Sequence, residues 1–329
     1  MDSEDQRAGR PAAVSQREAA RNGGDTGPRL ALAVTLVFAL LAAGALGVAW
    51  LAGGGAAREG IGKAGVNGEI AFVRSRGRVA DIVALDTGSQ QIRPMTSGSG
   101  NASTPSWSSD GRRLAYAWRD PRQGGYQLRV MSADGAADAA LTDPVAIDGS
   151  PSWSPAGDRI VFSSNRDAPG FGVYVIRLDG STPVRLADGT APAWSPNGDR
   201  IAFVGLVEGA PDILTMRPDG TDVRNVTRHA ADDVDPAWAP DGRSLVFASD
   251  RAGGFDLYRI ELGRDTATRL TSGPDDDRGP AVSPDGRLVV FSRTTQGSAN
   301  LWWIEEGTVR RLTADALFDA DPSWRPLTR

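Results

Sequence analysis

The 329-residue sequence contains no cysteine. That absence excludes disulfides, thiolate metal sites, cysteine nucleophiles and a lipid-modified N-terminal cysteine. There is one histidine, His229. A metal centre needing two imidazoles is therefore excluded, and a Ser-His-Asp triad would have to route through that one residue. Lysine is reduced to Lys63, so arginine supplies 35 of the 36 basic residues. The formal net charge of −5 argues against a surface for nucleic acid. No P-loop, dinucleotide fingerprint or zinc-binding motif occurs. Long helix-compatible stretches are scarce beyond the first 52 residues, because 40 glycines and 21 prolines punctuate the chain. That pattern indicates many turns and short strands.

The N-terminal part is organised differently. Residues 1–29 hold five Arg and five acidic residues with no apolar periodicity, which predicts a disordered tail. Leu30 to Ala52 is a run of 23 residues without a charge. At about 1.5 Å per residue it would extend roughly 35 Å, enough to cross a bilayer core. A cleaved signal peptide is the alternative, but its apolar region is usually about 7–15 residues. Arg10, Arg17, Arg21 and Arg29 precede the run, against Arg58 and Lys63 after it. This bias places the N-terminus in the cytoplasm. The expectation is a signal anchor over 30–52 and a single-pass protein of the cell membrane, with its bulk on the extracytoplasmic side. Residues 53–67 are rich in Gly and Ala and read as a flexible linker.

From Gly68 onward a repeat dominates. Its clearest unit is P-x-W-x-P-x-G, with copies starting at Pro105, Pro151, Pro192, Pro236 and Pro280 and a partial copy at Pro322. The spacings are 46, 41, 44, 44 and 42 residues, the length of a four-stranded propeller blade. Each unit continues with an alternating apolar run such as Arg159-Ile-Val-Phe-Ser. A third strand follows, such as Val173-Tyr-Val-Ile, and then a fourth ending in a sequence such as Arg269-Leu-Thr. Gly68-Glu-Ile-Ala-Phe-Val starts directly at a second strand, whereas Pro322-Ser-Trp is a first strand with nothing after it. Joining them predicts a sixth blade made from both ends of 68–329, which closes the ring and hides its sheet edges. The expected fold is an all-β, six-bladed propeller preceded by one transmembrane helix.

The unit P-S-W-S-P-x-G-x-x-I-x-F resembles the WD-like propeller repeat of the TolB family, and the resemblance covers 68–329. TolB is a periplasmic propeller protein of the Tol–Pal envelope system. The resemblance thus implies a bacterial envelope protein that binds other proteins. TolB carries an α/β domain before its propeller, where this sequence has the apolar run and linker. Propeller lyases acting on uronic-acid oligomers have similar repeats, but they rely on several histidines.

Trp107, Trp153, Trp194, Trp238 and Trp324 recur once per blade, with Val282 at the sixth position. Stacking platforms for sugars or bases are one reading, and packing between blades is the favoured one. The loops leading into the first strands are acidic, and they share one face with the loops between second and third strands. We expect Asp148, Asp232, Asp233, Asp235, Asp275, Asp276, Asp277 and Asp321, with Arg166 and Arg251, to form a docking face for a basic partner segment. A Ca²⁺ site at the channel mouth is a second use of these acids, although no EF-hand spacing is present. A third reading, notably for Asp148, Asp235 and Asp321, is capping of a turn or pairing with an Arg of the adjacent blade. His229 reads as an exposed loop residue. The favoured function is a non-catalytic, monomeric docking module for an envelope or membrane protein, requiring no cofactor. A carbohydrate or small-ligand sensor, Ca²⁺-assisted or not, comes next. An enzyme acting on an envelope polymer comes last.

Overall fold

The computed structural model describes residues 68–326, except 99, 123, 168, 315 and 316. The expected tail, membrane helix and linker lie outside the described residues. No helix among the described residues is long and apolar enough to cross a membrane.

Twenty-four strands form six four-stranded antiparallel sheets. Blade one contains β1 (Glu69–Arg76), β2 (Val79–Asp86) and β3 (Ile92–Pro94). Blade two is β4 (Asn101–Trp107), β5 (Arg113–Arg119), β6 (Gln127–Ser132) and β7 (Asp138–Ala140). Blade three is β8 (Asp148–Trp153), β9 (Arg159–Ser164), β10 (Gly172–Arg177) and β11 (Val184–Asp188). Blade four is β12 (Thr190–Trp194), β13 (Ile201–Val207), β14 (Ala210–Met216) and β15 (Arg224–Asn225). Blade five is β16 (Asp233–Trp238), β17 (Ser244–Ser249), β18 (Asp256–Glu261) and β19 (Thr268–Arg269). Blade six is β20 (Asp276–Val282), β21 (Val289–Thr295), β22 (Ser298–Glu305) and β23 (Thr308–Arg311). The last strand, β24 (Phe318–Trp324), pairs with β1 and completes blade one. The expected closure from both ends is therefore observed, with Ile70 opposite Trp324 and Arg325 ion-paired to Glu69 at 2.6 Å.

The repeat motif accounts for this geometry residue by residue. In four blades the serine after the Trp position closes the first hairpin, its hydroxyl accepting an amide five residues on: Arg113 to Ser108, Arg159 to Ser154, Arg200 to Ser195, Leu288 to Ser283. In blade five Ala239 stands there, and Asp241 accepts the Ser244 amide instead. In five blades a threonine after the fourth strand extends the ladder by side chain: Thr96, Thr142, Thr227, Thr271 and Thr313 accept an amide from the third strand. An aromatic at the middle of each second strand (Phe72, Tyr116, Phe162, Phe203, Phe247, Phe291) is buried between sheets. Each such burial contributes about 1.5–3 kcal/mol.

One feature of the first strands was not expected. In all six blades the pairing between first and second strands slips at the residue before the motif proline. That residue is left-handed every time: Thr104, Ser150, Ala191, Asp235, Gly279 and Asp321 have φ between 48° and 58°. A residue before proline normally favours extended backbone, so this bulge runs against local preference in every blade. It turns six side-chain positions into the central channel.

Candidate functional site

The acids expected to form the docking face separate into three groups. Asp148, Asp233 and Asp277 lie at the start of the first strands and are buried. Each carboxylate faces an arginine: Asp148 with Arg166 at 2.8 Å, Asp233 with Arg251 at 2.9 and 3.0 Å, Asp277 with Arg293 at 2.6 and 2.7 Å. Asp319 and Arg74 form a fourth pair, at 2.8 Å through both guanidinium nitrogens. The guanidiniums lie over ring faces: Arg74 on Phe72, Arg166 on Phe162 and Tyr174, Arg251 on Phe247 and Tyr258, Arg293 on Phe291 and Trp302. Burial pushes the Asp233 carboxyl up, opposed by hydrogen bonds from Ser249 and Arg251. The bond to Asp277 raises the Arg293 guanidinium. These residues tie the first strand to the second strand or the turn after it in four of the six blades. Expecting Asp148, Asp233 and Asp277 on a contact surface is corrected here: buried carboxylates already matched to Arg166, Arg251 and Arg293 have no face to offer. Blades two and four carry Ala102 and Gly189 at this position. At Gly189 a Cβ would meet the Val204 carbonyl oxygen at 2.5 Å.

The second group remains on the surface. Asp232 and Asp276 are exposed and Asp275 is half-buried. Asp276 also accepts the Phe255 amide at 3.0 Å, which ties blade six to blade five. These acids sit at the end of the blades where chains cross from one sheet to the next.

Asp235 and Asp321, the third group, point into the channel. With Thr104, Ser150, Ala191 and Gly279 they ring a cavity of about 210 Å³ whose lining includes the six motif prolines and, toward the blade-crossing face, Thr294, Ala299 and Phe318. The ring is stitched between blades: the Ser150 amide donates to Thr104 Oγ1 at 3.2 Å, and the Gly279 amide to Asp235 Oδ2 at 3.3 Å. Arg278 lies 4.0 Å from Asp235 and packs over the Phe255 ring. Asp321 has no such cation. Burial, and secondarily the charge of Asp235, push its carboxyl up to about 6, opposed by the Thr104 amide. It remains partly open to the lumen, so it is a deep carboxyl reachable through the channel.

The remaining candidates are structural. The five tryptophans are buried. Trp153, Trp238 and Trp324 donate their indole N–H to the carbonyls of Ser106, Ala193 and Ala281 in the preceding blade, at 3.0, 3.0 and 3.1 Å. They bolt blade to blade, so no ring of stacking platforms exists. His229 is exposed, and its Nδ1 accepts the Ala231 amide at 3.0 Å. Among the described residues no group of three or more His, Asp or Glu is arranged to hold a metal ion.

Comparison with known proteins agrees with this architecture. A family model described as the TolB beta propeller domain matches residues 65–189 and 186–329. An uncharacterized protein of Agrobacterium fabrum is 34% identical over 89 residues. The match covers 27% of this chain and 30% of that protein, so the chain spans under a third of the length of that curated relative. Among solved structures, TolB from Acinetobacter baumannii superimposes with a TM-score of 0.72 at 19% identity, covering 79% of this chain and 67% of that one. A putative TolB from Agrobacterium tumefaciens gives 0.63 at 19% identity, covering 80% and 100%. An oligogalacturonate lyase from Vibrio parahaemolyticus gives 0.52 at 15%, covering 74% and 73%. At these identities the structural likenesses establish the shared fold.

Proposed function

The chain belongs to the TolB beta-propeller domain family, and from that premise we propose that it is a non-catalytic docking module of the cell envelope. In this reading Leu30–Ala52 anchors it in the membrane as a single pass, and the propeller stands on the extracytoplasmic side. It holds a basic segment of an envelope or membrane protein against the face where the channel opens. One observation carries the reading. After four Asp–Arg pairs have taken up the buried acids, Asp232, Asp275 and Asp276 are left toward solvent on that face. Solvent-facing acids on rigid loops attract and orient a basic partner. His229, the single histidine, is exposed on a loop and offers poor support for an enzyme acting on an envelope polymer.

The test is in-cell crosslinking of the full-length chain, with mass spectrometry of the captured material, for the parent and an Asp232→Lys/Asp276→Lys variant. Capture of one dominant envelope protein, reduced in the variant, is expected. Capture unchanged by the double charge reversal would eliminate this face. The channel cavity favours a second reading, a carbohydrate or small-ligand sensor, Ca²⁺-assisted if the acids recruit the ion. It predicts no dominant protein partner and a melting temperature raised by cell-wall sugars or Ca²⁺.

A further inference from the structure

The ring of left-handed residues contains an internal control. Five of its six positions carry a side chain at φ between 48° and 55°, so this backbone does not itself demand glycine. The sixth, Gly279 (φ 58°), leaves a notch between Asp235 and Asp321. A methyl group placed there would lie 3.9 Å from Asp321 Oδ1 and 3.9 Å from Ser292 Oγ. The backbone nitrogen of the same glycine lies 3.3 Å from Asp235 Oδ2. Two side-chain oxygens, from β21 and β24, therefore face the notch within contact range, and a third, Asp235 Oδ2 of β16, is bonded to the glycine amide at its rim.

Ser292 supplies an independent observation. It is 7% exposed and lines the cavity, and its hydroxyl has no hydrogen-bond partner. A buried hydroxyl left unmade costs about 1–3 kcal/mol, which a ligand bonding to it would recover. The charges point the same way: the charged residues lining the cavity are Asp235, Asp321 and Arg278. Arg278 is turned to Asp235 and to the Phe255 ring, leaving Asp321 uncompensated.

We propose that this notch binds a primary ammonium group, held by Asp321, Asp235 and the Ser292 hydroxyl. An ammonium is a compact charge with three donors, and the notch presents three acceptors. Calcium takes about 6–8 oxygen ligands, more than these side chains supply. The ammonium can come from a free amine or from a lysine or N-terminus of a protein. The site stands whether or not the docking face does, since it needs no protein partner.

The test titrates the full-length chain calorimetrically with n-butylamine, using tetramethylammonium as a cation without N–H donors and butanol as the uncharged control. At pH 8 butylammonium is expected to bind at least about tenfold more tightly than tetramethylammonium, with no response to butanol. At pH 5, Asp321 holds its proton and affinity is expected to fall about tenfold. The other charged groups that face Asp321 across the cavity are Asp235 and Arg278. Gly279→Ala fills the notch and is expected to abolish binding. Ala191 already occupies the equivalent backbone, so the variant folds, which its thermal melt verifies. Asp321→Asn is expected to weaken binding at pH 8 and remove the pH dependence. A captured protein displaced by excess butylamine identifies a protein amine as the source, and capture indifferent to a bound amine identifies a free one. Equal affinity for tetramethylammonium, or butylamine binding unchanged in folded Gly279→Ala, would overturn the proposal, and so would a response to Ca²⁺ with none to butylamine.

Discussion

Two strands carry the same Asp-x-Asp-Pro pattern. In β16 the sequence is Asp233-Val-Asp235-Pro, and in β24 it is Asp319-Ala-Asp321-Pro. The first aspartate of each is buried against an arginine of the neighbouring strand or turn. The second, two residues on, sits on a left-handed bulge in the channel. Residues two apart on a regular strand share a face and an environment. Here the bulge separates them, and one of the two, Asp321, is left without a cation. Within one strand, an acid that holds the blade together is thus set beside an acid that is available to something else.

The largest expected effect breaks the structural member of the comparison. Arg293→Met leaves Asp277 buried without its partner, and unfolding free energy in denaturant should fall by about 3–5 kcal/mol. A loss under about 1 kcal/mol would mean that these pairs are ornaments on an already stable sheet. The channel member should behave oppositely. The Asp321 carboxyl is raised to about 6 from 3.8, so the folded chain holds this proton more tightly than the unfolded one. Its contribution is greatest below about pH 4, falls as pH rises to about 6, and stays lost above that. Asp321→Asn should therefore be more stable than the parent at pH 8, by about 2–3 kcal/mol, with the gap closing near pH 4. A destabilised variant at pH 8 would place Asp321 among the structural acids. Finest of all is the bulge itself. A left-handed non-glycine costs about 1–2 kcal/mol, and glycine returns about 0.5–1 kcal/mol of that as chain entropy. Ala191→Gly should thus stabilise by about 0.5 kcal/mol, visible as a small rise in melting temperature, whereas Ala191→Val should lower it.

The blades were legible in the sequence because each is announced several times over. The proline, tryptophan, serine and glycine of one repeat fix a hairpin, an inter-blade contact and a turn, and five near-copies make the period unmistakable. Closure followed from Gly68 and Pro322 each lacking what the other supplies. The site was legible only as composition. Asp232, Asp233 and Asp235 read as one acidic loop, yet they are exposed, buried and channel-lining in turn. Asp275, Asp276 and Asp277 are half-buried, exposed and buried in turn. What separates Asp233 from Asp235 is a bulge at a pre-proline residue, where local rules favour extended backbone. A signal was present: the residues before the six prolines are Thr, Ser, Ala, Asp, Gly and Asp, all small. Gly279 gains its meaning only beside the other five, and Ser292 only from the notch above it.

The pairing of β24 with β1 sets a timetable. β1 leaves the ribosome early and β24 last of the 24 strands, with about 250 residues of sequence between the paired positions Ile70 and Trp324. Until β24 is available, β1 carries an unpaired edge, and the gap between blades one and six stays open. Contacts this distant in sequence are slow to form, and an open edge recruits other strands. Synthesis of β24 and, for an exported chain, its transit across the bilayer must therefore precede closure of the ring. In that interval the propeller depends on being kept apart from its own copies.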